Sequence, residues 1–195
     1  MIEYITIPTY LTLFRLIAAP IILPILFVGL LPYNHIIVNS FLALLFIAFA
    51  LTDFFDGFLA RYYHQESALG KMLDPIADKF LIFSSLIGLL AAQKIFFLWV
   101  LIFIGRDLFI MGLRQIGLQH MIEVPVSAWG KARTAVLMMY IAFLILNPYA
   151  LLPWSQAPWW HSIESVLLIT ALFLTIWSAK KYAYSFFSEY LAKAS

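Results

Sequence analysis

Cysteine is missing from all 195 positions, which excludes a disulfide framework, a thiol nucleophile and a thiolate metal site. Charge is the second scarcity. Asp, Glu, Lys and Arg make up 11% of the residues, against roughly 25% in soluble domains. Hydrophobic residues make up 64%, with a mean hydropathy of +0.96. Such a chain has too little polar surface to be a water-soluble globule, and a bilayer is its natural solvent. A secreted module, a disordered tail and a nucleic-acid binder are excluded with it. The net charge of +2 is too small to call for a polyanionic partner. The first ten residues hold Glu3 and neither Lys nor Arg, so the basic start of a cleavable signal peptide is not expected. Internal repeats and the alternating ten-residue pattern of an outer-membrane barrel are also missing.

What the chain does have is a series of long apolar blocks. They fall at 8–31, 36–63, 72–92, 95–119, 130–146 and 160–184, each close to the roughly 20 residues one crossing needs. Breakers separate them: Pro32 to Asn34, then 64–70, then 147–158. Pro20 and Pro24 are expected to kink the first block. The pattern predicts an all-α, polytopic integral membrane protein, a six-transmembrane-helix bundle forming one domain over 1–195.

Orientation follows from the basic residues. With both termini on one side, Arg15, Arg61, Lys71, Lys79, Arg114, Lys131, Arg133, Lys180, Lys181 and Lys193 lie on or near that side. Lys94 alone falls at the far end, and Arg106 sits near mid-helix. The positive-inside rule makes the basic side cytoplasmic. Lys180 and Lys181 are read as topology signals, and Trp154, Trp159 and Trp160 as an aromatic belt at the outer interface. His35, His64, His120 and His161 all fall at predicted helix ends and are read as interfacial side chains.

Half of the ten acidic residues lie within one stretch, from Asp53 to Asp78. It reads Asp53-Phe-Phe-Asp56-Gly57-Phe-Leu-Ala60-Arg61, eight further residues, then Gly70-Lys-Met-Leu-Asp74-Pro-Ile-Ala-Asp78. On helices, Asp53 and Asp56 are i,i+3 neighbours and Asp74 and Asp78 are i,i+4 neighbours. A short connection makes the two helices antiparallel, so four carboxylates can converge at the cytoplasmic end. Four ionised carboxylates repel one another and lose hydration, and Arg61 alone cannot balance them. Hard oxygen donors suit two Mg²⁺ or Mn²⁺ ions, the usual clamp for phosphoryl transfer. Gly57 and Ala60 leave room beside the helix, and Arg61 adds a planar donor for phosphate.

The same stretch matches the signature Asp-x2-Asp-Gly-x2-Ala-Arg-x8-Gly-x3-Asp-x3-Asp at every fixed position, and so resembles the CDP-alcohol phosphotransferases. Ile7-Pro-Thr9-Tyr-Leu-Thr12-Leu-Phe-Arg15, Gly105-Arg106-Asp107, Leu113-Arg114 and Ser127-Ala-Trp-Gly130-Lys131-Ala-Arg133-Thr134 are similar to bacterial members that use sn-glycerol 3-phosphate. The chain departs from them on the fourth helix, where Arg106-Asp107 stands in place of an Arg-Glu pair.

The resemblance implies metal ligation by Asp53, Asp56 and Asp74, with Asp78 as general base and a further metal ligand. It implies CDP binding by Asp53, Gly57, Ala60, Arg61, Gly70 and Asp74. The donor would be CDP-diacylglycerol, the acceptor sn-glycerol 3-phosphate, and the setting the bacterial inner membrane. A homodimer is implied on the same basis alone. Arg106, Lys131 and Arg133 are the candidates for the acceptor phosphate, by both charge and analogy. Family members with serine, inositol phosphate or phosphatidylglycerol as acceptor share the signature. An intramembrane prenyltransferase, with widely separated aspartate motifs, and a small cation transporter are the remaining alternatives.

Overall fold

A computed structural model gives the fold and describes residues 7–62, 68–121, 128–146 and 158–194. Among them run six α-helices: α1 (Ile7–Leu30), α2 (Ile36–Tyr62), α3 (Ala68–Ala91), α4 (Phe97–Gln119), α5 (Ala128–Leu146) and α6 (Pro158–Ala194). A 3-10 turn, Leu31–Tyr33, follows α1. The protein is all-helical and crosses the membrane more than once. Leu16–Tyr33, Ala128–Leu146 and Trp159–Ala192 are long and apolar enough to span by themselves. Among the described residues, α2 and α3 contribute the shorter apolar stretches Ile36–Leu51 and Lys79–Ala91.

Two helices differ from the sequence expectation. α3 begins at Ala68 rather than near residue 72, so Gly70 lies in its first turn instead of in a loop. α6 has 37 residues and runs ten beyond the expected end at 184. Apolar content falls after Lys180 and Lys181, but nothing there breaks a helix. Tyr182, Phe186 and Tyr190 recur every four residues and pack with Ile110 and Leu113 of α4. Pro158 opens α6, where a missing N–H costs nothing.

The chain divides into two compact units, Met1–Ile95 with Ile141–Gln156, and Phe96–Tyr140 with Ala157–Ser195. In the first, α1 packs on α3. Ala19, Leu23 and Phe27 form a buried stripe on α1, continued by Leu31 of the 3-10 turn, and Ile82, Ser85, Leu86 and Leu89 form one on α3. The approach is close: a Cβ on Gly88 would lie 2.9 Å from the Pro24 Cα and 3.0 Å from the Phe27 ring. Pro24, read as a kink, therefore stands at a helix contact, and α1 continues through it. The opposite face of α1 exposes Ile17, Ile21 and Ile25, as a helix facing lipid should. Asn39 is buried on α2, and its Nδ2 donates to the Leu146 carbonyl at 3.4 Å, satisfying an orphan oxygen at the end of α5. Asn34 and Gln93 close turns with φ of 46° and 57°, and Lys94 Nζ donates to Asn34 Oδ1 at 3.0 Å.

In the second unit, α4 packs on α6. The buried positions of α4 are Val100, Phe103, Asp107, Ile110, Leu113 and Gly117. Asp107 thus sits in the middle of an otherwise apolar stripe.

Candidate functional site

Asp53, Asp56, Gly57, Ala60 and Arg61 all lie in α2, and Gly70, Asp74 and Asp78 all lie in α3. Their side chains lie outside the described residues, but the backbone sets their levels. α2 and α3 pack together and are joined by residues 63–67. Asp56 stands six residues before the end of α2, and Asp74 six residues after the start of α3. At 1.5 Å per residue, both lie about 9 Å along their helices from that connection. Asp53 and Asp78 stand nine and ten residues from it, about 14 and 15 Å. The i,i+3 and i,i+4 spacings therefore fall on helical backbone, and the two pairs come at matching depths on neighbouring helices.

Such a donor set is all oxygen and strongly anionic, which fits divalent Mg²⁺ or Mn²⁺ and suits a soft or nitrogen-seeking metal poorly. Among the described residues, no group of three or more His, Cys, Asp or Glu side chains could hold a metal ion. The aspartates remain the candidate ligands.

The second unit holds a buried polar network. Arg106 and Asp107 are neighbours on α4, Arg133 comes from α5, and Thr175 and Ser178 from α6. Asp107 Oδ1 accepts from Arg133 at 2.7 Å and from Arg106 at 2.9 Å. Arg133 is 1% exposed. Its Nε donates to Thr175 Oγ1 at 3.1 Å, and its remaining terminal nitrogen to the Phe103 carbonyl at 3.3 Å. The second terminal nitrogen of Arg106 donates to Ser178 Oγ at 3.0 Å. Each hydroxyl passes its own proton to helix backbone: Thr175 to Ala171 O at 2.6 Å, Ser178 to Thr175 O at 3.2 Å.

The candidate acceptor-phosphate residues are thus placed differently. Arg106 and Arg133 meet on one carboxylate, while Lys131 is exposed in the first turn of α5. Arg133 is enclosed, with every guanidinium nitrogen engaged. Arg106 lines a cavity of about 310 Å³ together with Ile102, Phe109, Thr175 and Lys180. Two guanidiniums on one carboxylate leave an excess positive charge, which at membrane depth favours an anionic ligand.

Sequence reasoning did not single out Thr175 and Ser178. Their signal is faint: two hydroxyl residues three apart in an apolar helix, which face one side. Asp107, which stands in place of the glutamate of similar chains, is the acceptor for both arginines.

A sequence profile of the CDP-alcohol phosphatidyltransferase family matches residues 5–177. The chain is also similar to curated proteins named CDP-diacylglycerol–glycerol-3-phosphate 3-phosphatidyltransferase. That of Rickettsia bellii (strain RML369-C) is 33% identical over 175 residues, covering 90% of this chain and 92% of the relative. That of Salmonella choleraesuis (strain SC-B67) is 34% identical over 182 residues, with coverage of 90% and 92%. The Shigella flexneri serotype 5b (strain 8401) protein is 34% identical over 183 residues, again covering 90% and 92%.

Proposed function

Because the chain belongs to the CDP-alcohol phosphatidyltransferase family, we propose that its acceptor is sn-glycerol 3-phosphate and its products are phosphatidylglycerophosphate and CMP. Transfer from a CDP-alcohol is the activity of the family. The choice of acceptor rests on one observation: relatives carrying that activity in their names align with about 90% of the chain at 33–34% identity.

In this reading Asp78 takes the proton from a glycerol hydroxyl. The freed oxygen attacks the lipid-linked β-phosphorus of CDP-diacylglycerol, the bond to the bridging oxygen breaks, and CMP leaves. Asp53, Asp56, Asp74 and Asp78 hold two divalent cations, which when bound neutralise charge on the diphosphate. Gly57 and Ala60 leave space for the CDP moiety, with Gly70 at the start of α3, and Arg61 offers it a planar donor. The acceptor phosphate is assigned to the basic residues of the second unit. Arg106 lines the cavity there, Lys131 is exposed nearby in sequence, and Arg133 contributes from inside the network through Asp107. The assembly acts as one functional domain with six crossings in a bacterial inner membrane. Both termini and the aspartates face the cytoplasm, and the working form is a homodimer.

The test is CMP release by purified protein from CDP-diacylglycerol, with sn-glycerol 3-phosphate, serine, inositol phosphate and phosphatidylglycerol supplied separately. Release with glycerol phosphate alone is expected, together with a raised KM for that substrate in Arg106→Ala. Release with a different acceptor overturns the assignment.

A further inference from the structure

The second unit holds another opening, which meets the Arg106 cavity at Lys180 of α6. It has a volume of about 410 Å³ and is lined by Trp129, Trp177, Lys180, Lys181 and Tyr184. We propose that it binds one anionic phospholipid by its headgroup.

The lining carries the chemistry. Three of its five residues are amphipathic aromatics, two are lysines, and no carboxylate is among them. Trp and Tyr favour the level where acyl chains meet headgroups, and lysine there attracts anionic lipid. The two lysines place two positive charges at one wall, so the occupant is an anion with an apolar body.

Helix arithmetic gives the depth. The stacked pair Trp159 and Trp160, with centroids 4.3 Å apart, marks one end of the apolar part of α6. Lys180 stands 21 residues further on, about 32 Å along the axis. That is the thickness of a hydrocarbon core, about 30 Å. Lys180 and Lys181 therefore emerge at the opposite headgroup layer, and Tyr184 lies one turn beyond. The Arg133–Thr175 bond sets α5 against α6. From it, Trp129 lies one turn toward the start of α5, while Trp177 and the lysines lie toward the end of α6. Both directions lead to the same end of the unit, so the opening sits at headgroup level, with Trp177 about one turn to the acyl-chain side of the lysines and Tyr184 one turn to the other. Lys180 borders both this opening and the cavity beside Arg106, whereas Lys181 lines this one and not the other.

Native mass spectrometry of the full-length protein, released from mixed micelles of phosphatidylglycerol and phosphatidylcholine in equal amounts, tests this. One tightly retained phosphatidylglycerol is expected. Lys181→Gln should weaken its retention roughly fivefold. Trp129→Leu, which leaves the charges in place, should weaken it severalfold. Circular dichroism would check that each variant is folded. Equal retention of phosphatidylcholine, or retention unchanged in Lys181→Gln, overturns the proposal. Displacement of the lipid by millimolar inorganic phosphate or sn-glycerol 3-phosphate also overturns it, because the site would then take a free phosphate. Since neither Lys181 nor Trp129 lines the cavity beside Arg106, the lipid result is separate from the choice of acceptor.

Discussion

Replacing Asp107 with asparagine preserves the shape of the side chain and removes its charge. Both arginines stay protonated, since guanidinium does not release its proton in proteins. Arg133 is 1% exposed and the Arg106 side chain 13%, so neither can turn to water without rearranging α4 or α6. Removing one partner of a buried ion pair costs about 3–5 kcal/mol. Asparagine keeps an oxygen that can accept from Arg133, which places the loss at the lower end, about 3 kcal/mol. For a chain of this length, about 2–4 °C per kcal/mol gives a fall of roughly 6–12 °C in Tm. Thermal unfolding in detergent, followed by circular dichroism, measures it. A second change, Arg133→Met, removes the stranded charge and fills much of its volume, so the double variant should be less destabilised than the two single losses added together. A Tm for Asp107→Asn within about 3 °C of the parent, or strict additivity in the cycle, would refute the argument that this carboxylate holds two buried cations.

Gly88→Ala should destabilise by about 1–3 kcal/mol. The new Cβ meets backbone of Pro24 at 2.9 Å, which outweighs the helix propensity gained, and an unchanged or raised Tm would count against the close α1–α3 contact. Lys94 has its pKa lowered from 10.5 by burial. Between the lowered value and 10.5 the unfolded chain binds more protons, so stability rises with pH across that alkaline window. Lys94→Gln can still donate to Asn34 and should flatten the rise, as read from unfolding midpoints measured against pH. Chelation by EDTA should abolish CMP release, with recovery on adding Mg²⁺ or Mn²⁺ and not Zn²⁺. Asp78→Asn should be inactive in the same assay while keeping the parent's Tm; activity surviving either treatment sinks the carboxylate mechanism.

The legible part of the fold lies where local pattern and final structure obey the same rule. α1, α2, α4 and α5 follow apolar runs bounded by breakers, and their ends fall within a few residues of the expectation. Gly70 misled, because a glycine beside polar residues reads as a turn but is tolerated in a first helical turn. The end of α6 misled for a different reason. Hydropathy falls at Lys180, whereas the helix is held beyond that point by Tyr182 and Phe186 against α4, a contact between residues about 70 apart in the chain.

The candidate site divides along the same line. Asp53, Asp56, Asp74 and Asp78 could be picked out because scarcity, spacing and a five-residue connection are all properties of one short stretch. Their matching depth on α2 and α3 follows from helix rise alone. Arg106 stood apart by its mid-helix position, but Lys131 and Arg133 could not be told apart, since both fall at the start of the fifth apolar run. Burial separates them: Arg133 is enclosed with all its nitrogens bonded, Arg106 borders a cavity, and Lys131 is exposed.

The sequence by itself determined the solvent and the helical class and singled out the four aspartates as candidates, because composition and short-range periodicity decide what a bilayer accepts and what one helix presents. Only the tertiary structure decided that Arg133 joins Arg106 on Asp107, that Thr175 and Ser178 accept from those arginines, and that Trp129, Lys180 and Lys181 line one opening. Each of those arrangements joins different helices and depends on packing that no local pattern records.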